Sequence, residues 1–427
     1  MAALALILAF PLVALVREST WDVQGREAGD VFIYARYAQE IEDGALPYRD
    51  VFVEYPPGAL PVIVLPALVT RGPSAYMQAF VSLMVVFVAL TAVLGHALAR
   101  TLGSGAWAAL VPAGLTASVP LLLGPVTLHR FDFFLAALVA IALLLALKGR
   151  LALASAALAV AVLAKLYALV LLPLLLGAAW HRARARGVAR AAAAFAVVVL
   201  AVTAPFLVLA PDGLVESARY QASRPLHVEA LSGSLVLALR ELVGFDLDLD
   251  FAAGSAGVGG ARGELARLPL TVLLVAALAL VWRRGLDLCR SKHGLAVAAA
   301  GAVTVITLLS HVLSPQFLIW LVPLVALLPG WLGIWAIGLY VAALVASNWW
   351  FPELYVRAAR QEDGSAVAVL VARNLLLVAL LVVVLAAVLR SPVPAIPGDG
   401  DLRPSQAGAE RARATPRETP GRARRGA

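Results

Sequence analysis

The residues of this chain best suited to chemistry fall in five short clusters, each at the edge of an apolar run. Asp30, Asp50 and Glu54 lie in the polar segment GDVFIYARYAQEIEDGALPYRDVFVEYPP at 29–57. His129, Arg130 and Asp132 follow, then Lys165 and Tyr167, then Arg219, Arg224, His227 and Glu229, and last His311, Ser314 and Gln316. Ionisable groups beside hydrocarbon are costly and are rarely kept without a partner or a task. The set holds both signs of charge. Its carboxylates are suited to take a proton, and its Arg and Lys side chains to bind an anion such as phosphate. Each residue also has a plainer reading. Lys165 can snorkel from a helix end, Asp132 and Asp30 can cap helices, and Asp50 and Glu54 can stabilise the turn around Pro47. A histidine such as His311, beside a Ser-Pro break, is more often structural than catalytic. The convergence of five segments on one face, rather than any single residue, points to a cavity.

The elements that carry these residues are membrane spans. The chain of 427 residues is 62% hydrophobic and only 14% charged, with a mean hydropathy of +0.90. A soluble domain is nearer half apolar and a quarter charged. Apolar runs long enough for a ~30 Å hydrocarbon core predict an all-α polytopic membrane protein rather than a barrel. About 12 transmembrane helices are expected, at 2–16, 75–99, 105–123, 131–147, 151–164, 166–179, 191–210, 268–282, 294–312, 316–329, 331–348 and 366–389. The pair at 151–179 reads alternatively as one long tilted helix. The run at 2–16 has no basic flank before it and no evident cleavage site, so a retained helix is expected. The formal charge of +8 does not point to nucleic acid, because the basic residues sit in short loops and the tail. Arg100, Lys148, Arg150, Arg182–Arg190 and Arg283–Lys292 alternate with acidic loops, as the positive-inside rule requires. The first outer loop, 17–74, has nine acidic and five basic residues, and the large outer loop, 211–267, has eight and five.

Within the first outer loop, Val31, Tyr34, Ala38 and Ile41 share one helical face, which predicts a surface helix stopped by Gly44. The apolar piece at 58–70, of ~13 residues, is expected at the interface; it spans only in the alternative in which 151–179 is one helix. Residues 1–390 form one transmembrane domain in this reading. Residues 391–427, rich in Pro, Gly and Arg, are expected to be a disordered cytoplasmic tail. Cys289 is the single cysteine, and no Cys/His cluster has metal-ligand spacing.

Five blocks in order carry a resemblance: GDVFIYARYA…GALPYRDVFVEYPPGAL (29–60), HRFDFFLAALVAIALLL (129–145), LAKLYALVLLPLLL (163–176), RPLHVEALSGSL (224–235) and SPQFLIWLVPL (314–324). They resemble glycosyltransferase family 87 of the GT-C superfamily, polyprenyl-phosphate-mannose-dependent mannosyltransferases related in plan to the PIG-M enzymes. The chain departs from the family where Lys-x-Tyr-Pro is common, with Lys165-Leu166-Tyr167-Ala168, and where Ser-x-Gln-Tyr is common, with Ser314-Pro315-Gln316-Phe317.

The resemblance implies a GT-C fold and a multi-pass protein of the plasma membrane. Its active site would lie on the extracytoplasmic side, with no metal and no cofactor. It implies an inverting transfer of a sugar, mannose, from a polyprenyl-phosphate donor to a cell-envelope glycan or glycolipid acceptor. Asp30 is then the expected base. Lys165, Arg130, Arg224 and His227 are expected on the donor phosphate. Asp132, His129, Tyr34, Asp50, Glu54, Tyr55, Tyr167, His311 and Gln316 are expected around sugar and acceptor. A lipid-linked glycan ligase and a flippase of lipid-linked sugars are the alternatives. A flippase would need inverted repeats and inward polar residues, and neither is apparent.

Overall fold

A computed structural model describes Ile7 and residues 29–252, 254–360 and 363–393. The expected first span, apart from Ile7, and nearly all of the tail lie outside the described residues. The first described helix, α1 (Gly29–Glu42), buries Val31, Tyr34 and Ala38, three of the four residues whose spacing predicted it. It ends in a Schellman motif. Gly44 sits at φ +95°, its N–H donates to Ile41 O, and the Ala45 N–H donates to Glu40 O. That turn needs a residue without a Cβ strain penalty.

The apolar piece Pro57–Val69 is broken into short 3-10 and α turns. It is followed by α2 (Pro73–Thr101), α3 (Leu110–Leu123), α4 (Asp132–Leu147) and α5 (Leu151–Ala164). The α5 helix stops at Lys165, whose φ of −152° and ψ of 132° are extended. A 3-10 stretch, Leu166–Leu171, then leads into α6 (Leu172–Leu209). The stretch 151–179 is therefore two elements. The expected loop between 179 and 191 is where the backbone leaves helical geometry, at Ala183 and Arg184, so that two helical pieces meet at a kink within α6.

The large loop is itself structured. It holds α7 (Pro211–Ala222), β1 (Leu226–His227), α8 (Leu231–Val243), β2 (Leu249–Ala252) and β3 (Ser255–Val258). The strands form a small antiparallel sheet in the order β1-β3-β2. Next come α9 (Gly260–Leu288) and α10 (Lys292–Leu309), a second broken stretch at 315–325, α11 (Gly330–Trp349) and α12 (Gly364–Arg390).

Six described helices are long and apolar enough to cross a bilayer alone: Pro73–Thr101, Leu166–Leu209, Gly260–Leu288, Lys292–Leu309, Gly330–Ala358 and Gly364–Arg390. Pro57–Val69, Leu110–Leu123, Asp132–Leu147, Leu151–Ala164 and Pro315–Val325 are apolar but shorter than the ~20 residues a lone span needs. The centre of the bundle is α10, whose apolar window is 83% buried. Its run of Ala and Gly lets neighbours approach closely, and a Cβ on Gly301 would meet Val388 Cγ2 at 2.6 Å. Small residues at helix contacts are how membrane bundles pack without a hydrophobic drive between helices.

Candidate active site

Three breaks in the apolar elements open onto one cavity of about 360 Å³. They lie at Pro56, at Lys165–Tyr167 and at Ser310–Gln316. Non-helical backbone inside a membrane protein is tolerated where it is buried or lines a cavity. The breaks also support each other. A Cβ on Gly58 would lie 2.7 Å from the Leu163 carbonyl carbon, so the first break is seated directly on the end of α5, two residues before Lys165.

Two carboxylate–cation pairs stand together at this cavity. Asp30, in the first turn of α1, forms an ion pair with Arg130 and accepts a hydrogen bond from Tyr55 Oη at 3.2 Å. Asp132, two residues beyond Arg130, is 0% exposed. Its Oδ1 takes Lys165 Nζ at 2.8 Å and Trp320 Nε1 at 2.6 Å. Lys165 also lies 4.8 Å from the Phe131 ring centre, 5.4 Å from that of Phe317 and 5.6 Å from that of Trp320. Trp320 stacks on Tyr167 at 3.8 Å with the rings 4° apart. Aromatic faces attract a cation, most strongly where water is scarce. The ammonium is thus held on one side by charge and on others by rings, and the Lys165 and Arg130 side chains still keep 16% and 14% of their surface exposed.

The opposite wall comes from the sheet and the turn after α10. His227 N–H donates to the His311 carbonyl at 2.9 Å. Its Nδ1 lies 3.3 Å from Leu313 O, and its Nε2 lies 2.8 Å from Ser255 Oγ. Nδ1–H donating to the carbonyl leaves Nε2 to accept from the serine, the tautomer of a neutral ring. Burial, helped by Arg224, pushes the His227 pKa down to about 3, and burial with Arg267 and Arg224 pushes His311 down to about 4. Burial raises Glu229 to about 7, against the lowering influence of Arg373, Trp350 and Arg130. Burial also lowers Arg130 to about 10, which leaves it charged at neutral pH.

Of the residues expected in the site, Asp30, Glu54, Tyr55, Arg130, Lys165, Tyr167, Arg224, His227, His311 and Gln316 line the cavity, as do Glu229 and Ser314 from the same polar clusters. Asp132 lies behind it and acts on it through Lys165 and Trp320. Tyr34 is buried next to Tyr55, with the two hydroxyl oxygens 3.4 Å apart. His129 is in the turn before α4 and does not line the cavity. Asp50 is elsewhere: Arg49 and the Leu46 N–H hold it in an exposed turn, where Arg49 first of all lowers its pKa to about 2.

Sequence reasoning missed Trp320, Phe317, Tyr220, Gln221 and Ser255, all in the lining. Trp320 carried no signal beyond an aromatic in an apolar run. Arg373 and Asn374 did carry one, as adjacent polar residues inside the apolar helix α12.

Among the described residues no group of three His, Cys, Asp or Glu side chains is placed to hold a metal ion. No protein of curated function matches the chain. The profile of glycosyltransferase family 87 matches residues 52–315, a stretch that contains Glu54, Arg130, Asp132, Lys165, Arg224, His227 and His311, with Asp30, Gln316 and Trp320 outside it. With that match over more than half its length, the chain belongs to glycosyltransferase family 87, a GT-C family of membrane glycosyltransferases.

Proposed function

We propose that the cavity transfers a sugar, mannose by resemblance, from a polyprenyl-phosphate donor to a cell-envelope glycan or glycolipid, with inversion and without a metal. The observation that carries this reading is the pairing of Asp30 with Arg130 beside the pairing of Asp132 with Lys165, with Asp30, Arg130 and Lys165 lining one cavity and Asp132 just behind it. In the reaction, Asp30 takes the proton of the acceptor hydroxyl. The acceptor oxygen attacks the anomeric carbon as its bond to the phosphate oxygen breaks, through an oxocarbenium-like state. The leaving group gains a negative charge as it becomes a phosphomonoester. Lys165 and Arg130 stabilise that charge in a site of low dielectric, with Arg224 in support. His227, neutral near pH 7, serves as a hydrogen-bonding wall rather than a cation. Glu54, Tyr55, Tyr167, His311 and Gln316 are then placed to meet sugar hydroxyls. Twelve spans, a plasma-membrane location and an extracytoplasmic site complete the reading, supported by the alternation of loop charge.

The test is transfer of label from polyprenyl-phosphate-mannose to a glycolipid acceptor fraction, in membranes with excess chelator. Wild type and Asp30→Asn are compared at equal expression. Transfer that resists chelator and is lost in the variant supports both donor and base. Transfer that survives Asp30→Asn moves the base to another carboxylate, Glu54 first. No transfer from any lipid-phosphate sugar refutes the donor.

A further inference from the structure

Behind the cavity wall lies a buried polar network that includes Arg373 of α12, which is 0% exposed within an apolar helix. Arg373 Nη1 donates to the Glu229 carbonyl at 3.2 Å and to Asn374 Oδ1 at 3.1 Å, and Arg373 Nε donates to Ser347 Oγ at 3.1 Å. Asn374 Nδ2 donates to the same Glu229 carbonyl at 3.2 Å and to Ser234 Oγ at 2.8 Å. Trp350 Nε1, just past α11, donates to Glu229 Oε1 at 2.8 Å. Glu229 is thus held at both ends, its backbone by α12 and its carboxyl by the indole. It also lines the cavity.

A buried arginine in a membrane helix is expensive and is retained for a partner or a task. A network serving only to join helices would be satisfied within itself. Here the residue that the network holds at both ends also lines the cavity, and Arg373 Nη2 has no hydrogen-bond partner among the described residues. Both Arg373 and Asn374 lie beyond the segment matched by the family profile.

We propose that Glu229 binds a hydroxyl of the transferred sugar or its acceptor, and that Arg373 and Asn374 are the residues that position it. The proposal rests on the transferase reading. The charged groups that face Glu229 are Arg373 from α12 and Arg130 from the turn before α4. Its carboxyl titrates at about 7 because burial outweighs both cations and the indole. It therefore donates a hydrogen bond below neutrality and only accepts above it. Loss of the Arg373 charge moves that change to higher pH.

The experiment uses the full chain purified in detergent, as wild type, Glu229→Gln, Arg373→Lys and Arg373→Met. The first readout needs no sugar: unfolding midpoints are measured from pH 5 to pH 8. An acid raised in the folded state loses stability as pH rises from its unfolded value through about 7. Wild type and Arg373→Lys should show that fall, Glu229→Gln should lack it, and in Arg373→Met it should continue to higher pH and run deeper. The second readout is sugar-transfer kinetics. Loss of one hydrogen bond to substrate should raise KM about tenfold in Glu229→Gln and Arg373→Met, with a smaller change in kcat and recovery in Arg373→Lys. The positioning role is overturned if both variants keep wild-type KM and pH profile and lose transfer only in proportion to folded protein. No transfer by wild type would refute the donor reading and, with it, the sugar contact of Glu229. The stability profile would still decide whether Arg373 acts on Glu229.

Discussion

Replacing Lys165 by Met tests the centre of the site, because its structural and chemical consequences can be separated. Asp132 is 0% exposed, its Oδ1 is shared by Lys165 and Trp320, and its Oδ2 has no hydrogen-bond partner among the described residues. Without the ammonium, Asp132 keeps one indole N–H. Breaking a buried pair from one side leaves an uncompensated charge and costs about 3–5 kcal/mol. Removing both charges, as in Lys165→Met with Asp132→Asn, returns stability to within about 1 kcal/mol of wild type, since a buried pair is often near neutral overall. Chemistry does not return with it. Loss of a group aimed at developing charge costs about 10²–10³ in kcat, and the double variant keeps that loss. Thermal unfolding in detergent and sugar-transfer rates, measured on the two single variants and the double, complete the cycle. A double variant that transfers at the wild-type rate refutes the role of Lys165 at the phosphate. A Lys165→Met protein no less stable than the double variant refutes the buried pair itself.

Three other perturbations have defined outcomes. Trp320→Phe keeps an aromatic ring against Tyr167 but deletes the Nε1–H to Asp132, so stability should fall by about 1.5–3 kcal/mol; an unchanged unfolding midpoint would show that this bond is not made. Gly58→Val drives a side chain into the backbone at Leu163, which should cost about 1–3 kcal/mol or more and reduce transfer by displacing Lys165, whereas a stable and fully active variant would contradict the close seating. His227 contributes a pH dependence of known sign. Its folded pKa of about 3 lies below the unfolded value of 6.5, so its contribution is complete above pH 6.5 and is lost as pH falls. The loss reaches at most about 5 kcal/mol near pH 3. Glu229 runs the other way between pH 4.5 and 7, so the informative quantity is wild type minus His227→Gln. A difference that does not change with pH would mean that the histidine is not buried neutral.

The helix α1 and its stop were legible because period and cap agree. Val31, Tyr34 and Ala38 fall on one face, and Gly44 stands where a left-handed residue is needed. The membrane helices were legible from apolar length, although the described bundle makes several of them shorter than a lone span. The kink at Ala183 and Arg184 falls inside the basic stretch that reads as a loop; that helix runs up to it from both sides was not legible, because charge alone does not tell a tight turn between helices from a longer loop. Ten candidate site residues reach the cavity because polar side chains at the ends of apolar runs have few other places to go. Asp50 had a local alternative, the guanidinium next to it in sequence, and took it. Trp320 and Ser255 escaped notice for the opposite reason. Their roles come from partners far along the chain, such as Trp320 with Asp132, and nothing in a local pattern announces a pairing of that range.

The two ion pairs at the cavity also bear on the order of events. Arg130 already has an anionic neighbour in Asp30, so under the proposed reaction a donor phosphate arrives as a rival rather than as a first companion. Its binding is an exchange of partners, and the gain is the difference between two contacts rather than the whole of one. As Arg130 turns toward the phosphate, the Asp30 carboxylate gives up its ion-pair partner and is left free to meet the acceptor hydroxyl. The base is thereby released by the arrival of the sugar it is to transfer. Steady-state kinetics should show obligatory order, donor before acceptor, and a random order would contradict the exchange.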